Sequence, residues 1–168
     1  MRELESLAIE AVEVVRSTQN PHCRFLVNSR SDIALAAGAD GVHLRSRDLA
    51  ASEARAILSK AGLSQAVIAV SCHTAEEIAA AEAHGADFAV FGPVFGKGAQ
   101  MAVGVEQLQF VCRRDAQARP PMPVLALGGI TLDNAAECLV ADAAGVAGIR
   151  LFQRPDVQDV VRQLRTIK

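Results

Sequence analysis

Residues 124–135 have the sequence VLALGGITLDNA, and this stretch decides how the chain is expected to fold. The apolar run from Val124 to Leu127 predicts a buried strand, and Thr131 precedes an alanine-rich run that predicts a helix with a threonine cap. Two adjacent glycines between them have two possible explanations. They can provide a turn or a close approach of two backbones. Alternatively, they expose backbone N–H groups to a phosphate, beside the positive end of a helix dipole.

Composition restricts the class of protein. A chain of 168 residues that is 51% hydrophobic and carries a net charge of −2 fits one domain with a sizeable core. The charge argues against a nucleic-acid-binding or membrane-binding surface, and no run approaches the length of a membrane span. Four cysteines lie far apart without Cys-x-x-Cys spacing, so the sequence predicts neither a zinc site nor a disulfide framework. Reduced thiols favour a cytoplasmic protein.

Helical and strand patterns alternate along the rest of the chain. The predicted strands are 25–28, 41–44, 67–70, 88–91, 123–127 and 146–151. The predicted helices are 3–17, 31–37, 49–61, 74–84, 105–116, 132–140 and 155–164. This alternation predicts βαβ units and a parallel sheet.

A short repeat marks the joints between helices and strands. AGAD (37–40) and HGAD (84–87) each precede a predicted strand, and ADAAG (141–145) is a looser third copy. Each copy places a glycine near a helix C-terminus, where the left-handed conformation is needed. Repeated joints of this kind favour a βα-barrel over a doubly wound sheet.

In a βα-barrel, the residues that bind ligands follow the C-terminal ends of the strands, and phosphate commonly binds after the last two strands. Gly128 and Gly129 follow the fifth predicted strand, and the segment Gly148, Ile149 and Arg150 lies towards the end of the sixth. We therefore predict that these five residues bind a phosphate group. Arg150 would either add a charge-assisted contact or remain solvated.

Five motifs in this order resemble the thiamine phosphate synthase family, including its TenI-type thiazole tautomerase branch. They are VNSR (27–30), AGADGVHL (37–44), SCHT (71–74), FGPVF (91–95) and ALGGITLDNA (126–135). The resemblance implies a TIM (βα)8-type barrel. It also implies an enzyme that joins a hydroxymethylpyrimidine diphosphate to a thiazole phosphate and releases pyrophosphate with the help of Mg2+.

The resemblance also assigns residues to the pyrimidine substrate and the metal. Asn28 matches an asparagine that contacts the pyrimidine substrate, and Arg30 matches the arginine after it. The family usually has a magnesium-binding aspartate where this chain has Ser29. Asp48 matches the second magnesium carboxylate, although it could instead cap the helix predicted from Leu49.

Other positions depart from the family pattern or have a second explanation. Arg45 and Arg47 stand where the family has a glycine and an acidic residue. Ser71 matches a serine near the diphosphate, or else belongs to a helix N-terminus. Lys97 is a candidate replacement for a family lysine in a loop that is shorter here. Pro93 stands where the tautomerase branch often has a histidine, so this position gives no support to that activity.

Six predicted strands are fewer than the eight of a closed barrel. Met1 falls near the second helix of the family pattern, so we expect a single, N-terminally incomplete domain over residues 1–168. A longer start, a fragment and a gap covered by another subunit all fit this pattern. We expect a small phosphorylated thiazole or pyrimidine as ligand. The chain is therefore expected to be an altered synthase, a tautomerase-like enzyme or a noncatalytic phosphate-binding domain. The residues that depart from the family pattern predict slow thiamine phosphate synthesis.

Overall fold

The computed structural model describes residues 2–96, 101–114 and 121–167. The helices of the described residues are α1 (Arg2–Ser17), α2 (Ser31–Ala37), α3 (Ala51–Lys60), α4 (Ala75–Ala83), α5 (Val105–Cys112), α6 (Ala135–Val140) and α7 (Val157–Leu164). The strands are β1 (Leu26–Asn28), β2 (Gly41–Leu44), β3 (Val67–Cys72), β4 (Phe88–Phe91), β5 (Val124–Leu127) and β6 (Gly145–Ala147). Strands and helices alternate in the predicted order, which confirms the α/β class.

Several boundaries differ from the prediction, and three of the differences have a clear local reason. Strand β3 continues to Cys72, whose carbonyl accepts a hydrogen bond from Gly92 N at 3.2 Å. Helix α6 begins at Ala135 rather than Leu132, because Asn134 binds the preceding backbone through its side chain. Strand β6 ends at Ala147 rather than at residue 151, and a turn follows in which Phe152 N donates to Ile149 O at 3.2 Å.

The chain divides into two compact units. The first unit comprises Met1–Val70 and Ala80–Asp87, and the second comprises Ser71–Ala79 and Phe88–Lys168. In the first unit β2 pairs in parallel with both β1 and β3. Its core is built from buried aliphatic side chains, among them Ile33, Val42, Leu44, Leu58 and Ile68.

The two clear copies of the repeat form the same joint in the first unit. Asp40 N donates to Phe25 O at 2.9 Å, while its carboxylate accepts from Phe25 N at 2.8 Å. Asp87 makes the same two-way contact with Ile68, at 2.8 and 2.6 Å. Each aspartate therefore fixes the start of the neighbouring strand through the backbone.

The conformational role of the repeat glycines is confirmed in two copies and wrong in the third. Gly38 and Gly85 have φ of 64° and 74°, as a left-handed helix end requires. In the third copy Asp142 itself has φ of 64°, and Gly145 instead begins β6. Aspartate tolerates this conformation better than most residues, and its carboxylate is paired with Arg113.

In the second unit β5 pairs in parallel with both β4 and β6. The side chains of Phe91, Val94, Leu108 and Val111 are fully buried in this unit. Leu127 pairs with Ala147, so the chain leaves β5 and β6 at the same edge. This register brings the two predicted phosphate-binding segments side by side. No helix in the described part of the chain is long and apolar enough to cross a membrane.

Candidate functional site

The loops after β1 and β2 bring together most of the residues assigned to the pyrimidine substrate and the metal. Asn28 is the last residue of β1, is exposed and pairs in register with His43. Ser29 N continues this pairing by donating to His43 O at 2.9 Å. The first residue after β2 is Arg45, so both loops start from the same edge of the first unit.

Ser29 and Asp48 are in direct contact. Ser29 Oγ donates to Asp48 Oδ2 at 2.6 Å, and Arg45 N donates to the same oxygen at 2.7 Å. The hydrogen bond from Ser29, followed by the one from Arg45 N, lowers the pKa of Asp48 below its usual range. Ser29 adopts φ of 61°, a conformation that few non-glycine residues take.

The alternative role of Asp48 as a helix cap is wrong. Helix α3 begins at Ala51, and Glu53 Oε2 accepts from Ala50 N at 3.0 Å at its start. Asp48 instead closes the turn after β2, since its backbone N–H donates to Arg45 O at 3.0 Å. Its carboxylate therefore belongs to the loop and not to the helix.

These residues do not fit a magnesium site held by the protein. Magnesium prefers anionic oxygen ligands. Ser29 supplies a neutral hydroxyl whose proton is directed at Asp48, and one oxygen of Asp48 already accepts two hydrogen bonds. No group of three potential metal-ligating side chains exists among the described residues. Asp48 alone would give a bound ion one carboxylate.

The three arginines of these loops differ in their partners. Arg30 forms two hydrogen bonds to Asp32, from Nε at 2.8 Å and from a terminal nitrogen at 2.5 Å. This contact lowers the pKa of Asp32 to about 2. Arg45 and Arg47 are exposed, and neither forms an ion pair with a described carboxylate. Arg30 can contact a substrate only by leaving or sharing Asp32.

In the second unit, Gly128 and Gly129 have φ of 96° and 65° and lie against the loop that follows β4. A Cβ on Gly128 would lie 2.5 Å from Pro93 Cα, and one on Gly129 would lie 2.4 Å from Phe95 O. Conformation and close backbone approach therefore both require glycine here. This explanation holds whether or not the segment binds a phosphate.

Asn134 holds the Gly-Gly loop, and sequence analysis had missed this residue. Its Oδ1 accepts from Thr131 N at 2.8 Å, and its Nδ2 donates to Gly129 O at 3.1 Å. The predicted threonine cap is wrong, because α6 starts at Ala135 and is only six residues long. A helix this short has only a small dipole with which to attract an anion. The tendency of asparagine to bind nearby backbone was the sequence signal that could have identified it.

Free backbone donors remain at the ends of β5 and β6. No described residue accepts a hydrogen bond from the N–H of Gly129, Ile130, Ile149 or Arg150. Gly148 directly follows β6, Ile149 is 71% exposed, and the Arg150 side chain is exposed without an ion pair to a described residue. Unpaired donors and one free cation are the groups that bind an anion.

The remaining assigned residues have different outcomes. Ser71 is half-buried inside β3 and not in a helix N-terminus, because Thr74 Oγ1 accepts from Glu77 N at the start of α4. Lys97 lies outside the described residues. His73, which belongs to the SCHT motif and was not assigned to a ligand, forms a 2.6 Å hydrogen bond between its Nδ1 and Gly92 O and so fixes the loop after β4.

Comparisons with known proteins agree on one family. A family model described as thiamine monophosphate synthase matches residues 2–152. A putative thiamine-phosphate synthase of Geobacter sulfurreducens is 41% identical over 98% of this chain and 77% of the relative. A thiamine-phosphate synthase of Methanospirillum hungatei is 37% identical over 96% of this chain and 77% of the relative.

A solved structure agrees with these relatives. Thiamine phosphate pyrophosphorylase from Pyrococcus furiosus matches with a TM-score of 0.81 and 30% identity, covering 99% of this chain and 76% of that one. The match extends over nearly the whole chain and includes both units. The chain therefore belongs to the thiamine phosphate synthase family of thiamine biosynthesis.

Proposed function

We propose that this chain joins a hydroxymethylpyrimidine diphosphate to a thiazole phosphate and releases pyrophosphate. The observation that carries the proposal is the family match over residues 2–152, which includes the loops of both units. The names of the relatives specify thiamine-phosphate synthase. The altered residues after β1 and β2 predict that the reaction is slow.

Two demands of this reaction guide the assignment of residues. The bond between the pyrimidine methylene carbon and the diphosphate breaks, and the diphosphate leaves with the electron pair. Negative charge therefore increases on the leaving group, and positioned cations that neutralise it lower the barrier. The thiazole phosphate must also be held so that its nucleophile faces the methylene carbon.

For the thiazole phosphate, we assign the segments Gly128–Gly129 and Gly148–Arg150. Their support is the register of β5 with β6, the free N–H groups and the exposed guanidinium of Arg150. Asn134 is a positioning residue, because it binds the carbonyl of Gly129 and thereby fixes the orientation of the Ile130 N–H in the same peptide group.

For the pyrimidine diphosphate, we assign Asn28, Arg30 and Ser71, together with Lys97, which lies outside the described residues. Asn28 is exposed at the end of β1 and can donate and accept hydrogen bonds. The family resemblance implies Mg2+ with Asp48 as its ligand. The donor set of the described residues does not fit a dedicated metal site.

The wider properties follow from family membership and composition. We propose a cytoplasmic protein, consistent with four cysteines in the thiol form, of which Cys72 and Cys138 are buried. Its expected ligands are the two phosphorylated substrates, and assembly into a homo-oligomer is a further proposal. We also propose that residues 1–168 belong to a single domain of this family.

Replacing Arg150 with alanine is expected to weaken the binding of thiazole phosphate by about tenfold, the typical loss of one charge-assisted hydrogen bond. Isothermal titration calorimetry measures this directly. Arg154 is the matched control, because it is also exposed but is paired with Asp156 at 2.7 Å. Equal losses in the two variants, or unchanged affinity in Arg150→Ala, would show that the phosphate binds elsewhere.

A further inference from the structure

The turn after β2 contains two exposed arginines, Arg45 and Arg47, that form no ion pair with a described carboxylate. Four of the five other arginines of the first unit bind partners. Arg16 binds Gly38 O at 2.8 Å, Arg24 approaches Asp40 at 3.6 Å, Arg30 binds Asp32, and Arg55 binds Asp87 at 2.9 Å. The positive charge of Arg45 and Arg47 is therefore available to an anion.

The backbone of this turn is held in one conformation. Asp48 N donates to Arg45 O at 3.0 Å, and the Asp48 carboxylate accepts from Arg45 N at 2.7 Å and from Ser29 Oγ at 2.6 Å. The carboxylate thus ties the turn to the loop after β1. Both arginines start from a fixed backbone, which reduces the entropy lost when they bind a ligand.

The balance of charge in these loops also favours an anion over a metal. Between Ser29 and Asp48, the loops after β1 and β2 have Arg30, Arg45 and Arg47, with Asp32 paired to Arg30. The one remaining carboxylate, Asp48, has an oxygen saturated by two donors. A divalent cation would meet one carboxylate and two exposed guanidinium groups, whose charge repels it.

We propose that Arg45 and Arg47 bind the diphosphate of the pyrimidine substrate directly, and that this binding does not require Mg2+. The inference rests on the proposed function for the identity of the substrate. Without the family aspartate at the position of Ser29, Mg2+ is held less firmly and neutralises less of the diphosphate charge. Each guanidinium group matches two phosphate oxygens with parallel hydrogen bonds, so the two arginines can neutralise that charge instead. Asp48 then acts as a positioning residue for the turn.

Titration of inorganic pyrophosphate into the 168-residue chain tests the proposal by calorimetry. We expect binding in the presence of EDTA, with Mg2+ changing the dissociation constant by less than about threefold. The double variant Arg45→Ala/Arg47→Ala should bind at least about tenfold more weakly. Arg24→Ala is the control, since Arg24 precedes β1 and should leave the dissociation constant unchanged.

A second pair of variants keeps the test valid if the alanine variant fails to fold. Arg45→Lys/Arg47→Lys retains both charges but loses the planar donor arrangement, so a smaller loss of affinity is expected. Ser29→Asp adds a negative charge and should weaken binding in EDTA. Pyrophosphate binding that occurs only with Mg2+, or that is unchanged in the folded arginine variants, would overturn the proposal.

The outcomes also separate this inference from the proposed function. Product formation with pyrophosphate binding that strictly requires Mg2+ would leave the synthase function intact and overturn the role of the arginines. Metal-independent pyrophosphate binding without product formation would support the arginine site and count against synthase activity.

Discussion

Replacing Gly129 with alanine is expected to lower the free energy of unfolding by about 3 kcal/mol. The residue has φ of 65°, which is strained for an L-residue and costs about 1–3 kcal/mol. The added Cβ would also lie 2.4 Å from Phe95 O, and backbone must shift to relieve this contact. Urea unfolding followed by circular dichroism measures the loss.

Gly62→Ala is the matched control for this change. Gly62 also has a positive φ, of 97°, but nothing lies within 4 Å of a Cβ at this position. It should therefore show only the conformational cost, about 1–2 kcal/mol, and lose less stability than Gly129→Ala. If the two variants lose the same stability, the close approach between the Gly-Gly loop and Phe95 does not contribute, and the proposed reason for Gly129 is incorrect.

Replacing Ser29 with aspartate is expected to raise the rate of thiamine phosphate formation at least about tenfold when Mg2+ is in excess. The change places a second carboxylate beside Asp48, whose Oδ2 lies 2.6 Å from Ser29 Oγ. Two carboxylates are a typical protein contribution to a magnesium site that also binds substrate phosphate. Aspartate also tolerates the φ of 61° found at this position.

The control for the metal effect is Ser29→Ala, which removes the hydrogen bond to Asp48 without adding a ligand. This variant should not gain activity at any Mg2+ concentration. A steady-state assay of product over a range of Mg2+ separates the two variants. If Ser29→Asp forms product at the wild-type rate at saturating Mg2+, the missing carboxylate does not limit the rate of thiamine phosphate formation.

The alternation of strands and helices was predictable because each element carries its own hydrophobic pattern. The bounds of α2, β2 and β4 match the predicted ranges. Two of the larger errors occur where a side chain competes with the backbone and where glycine interrupts a strand. Asn134 delays the start of α6, and the chain turns at Gly148 where apolar residues alone predicted a continuing strand.

The candidate site was predictable in part. Parallel strands place their C-terminal ends at one edge, so the grouping of Ser29 with Asp48 and of Gly128 with Gly148 follows from the order of elements. The hydrogen-bond partners of individual side chains do not follow from the order of elements. Three such contacts depend on loop geometry, which has no periodic signal in the sequence. They are the pairing of Arg30 with Asp32, the contact between Gly129 and Phe95, and the hydrogen bond from Asn134 to Gly129.

The most direct test of the account is to incubate the wild-type chain with hydroxymethylpyrimidine diphosphate and thiazole phosphate and to quantify thiamine phosphate and pyrophosphate together. We expect both products in equal amounts, formed slowly, with a further loss of rate in Arg150→Ala and no loss in Arg154→Ala. Absence of product at saturating concentrations of both ligands, with both shown to bind, would contradict synthase activity and favour the tautomerase-like enzyme or the noncatalytic phosphate-binding domain.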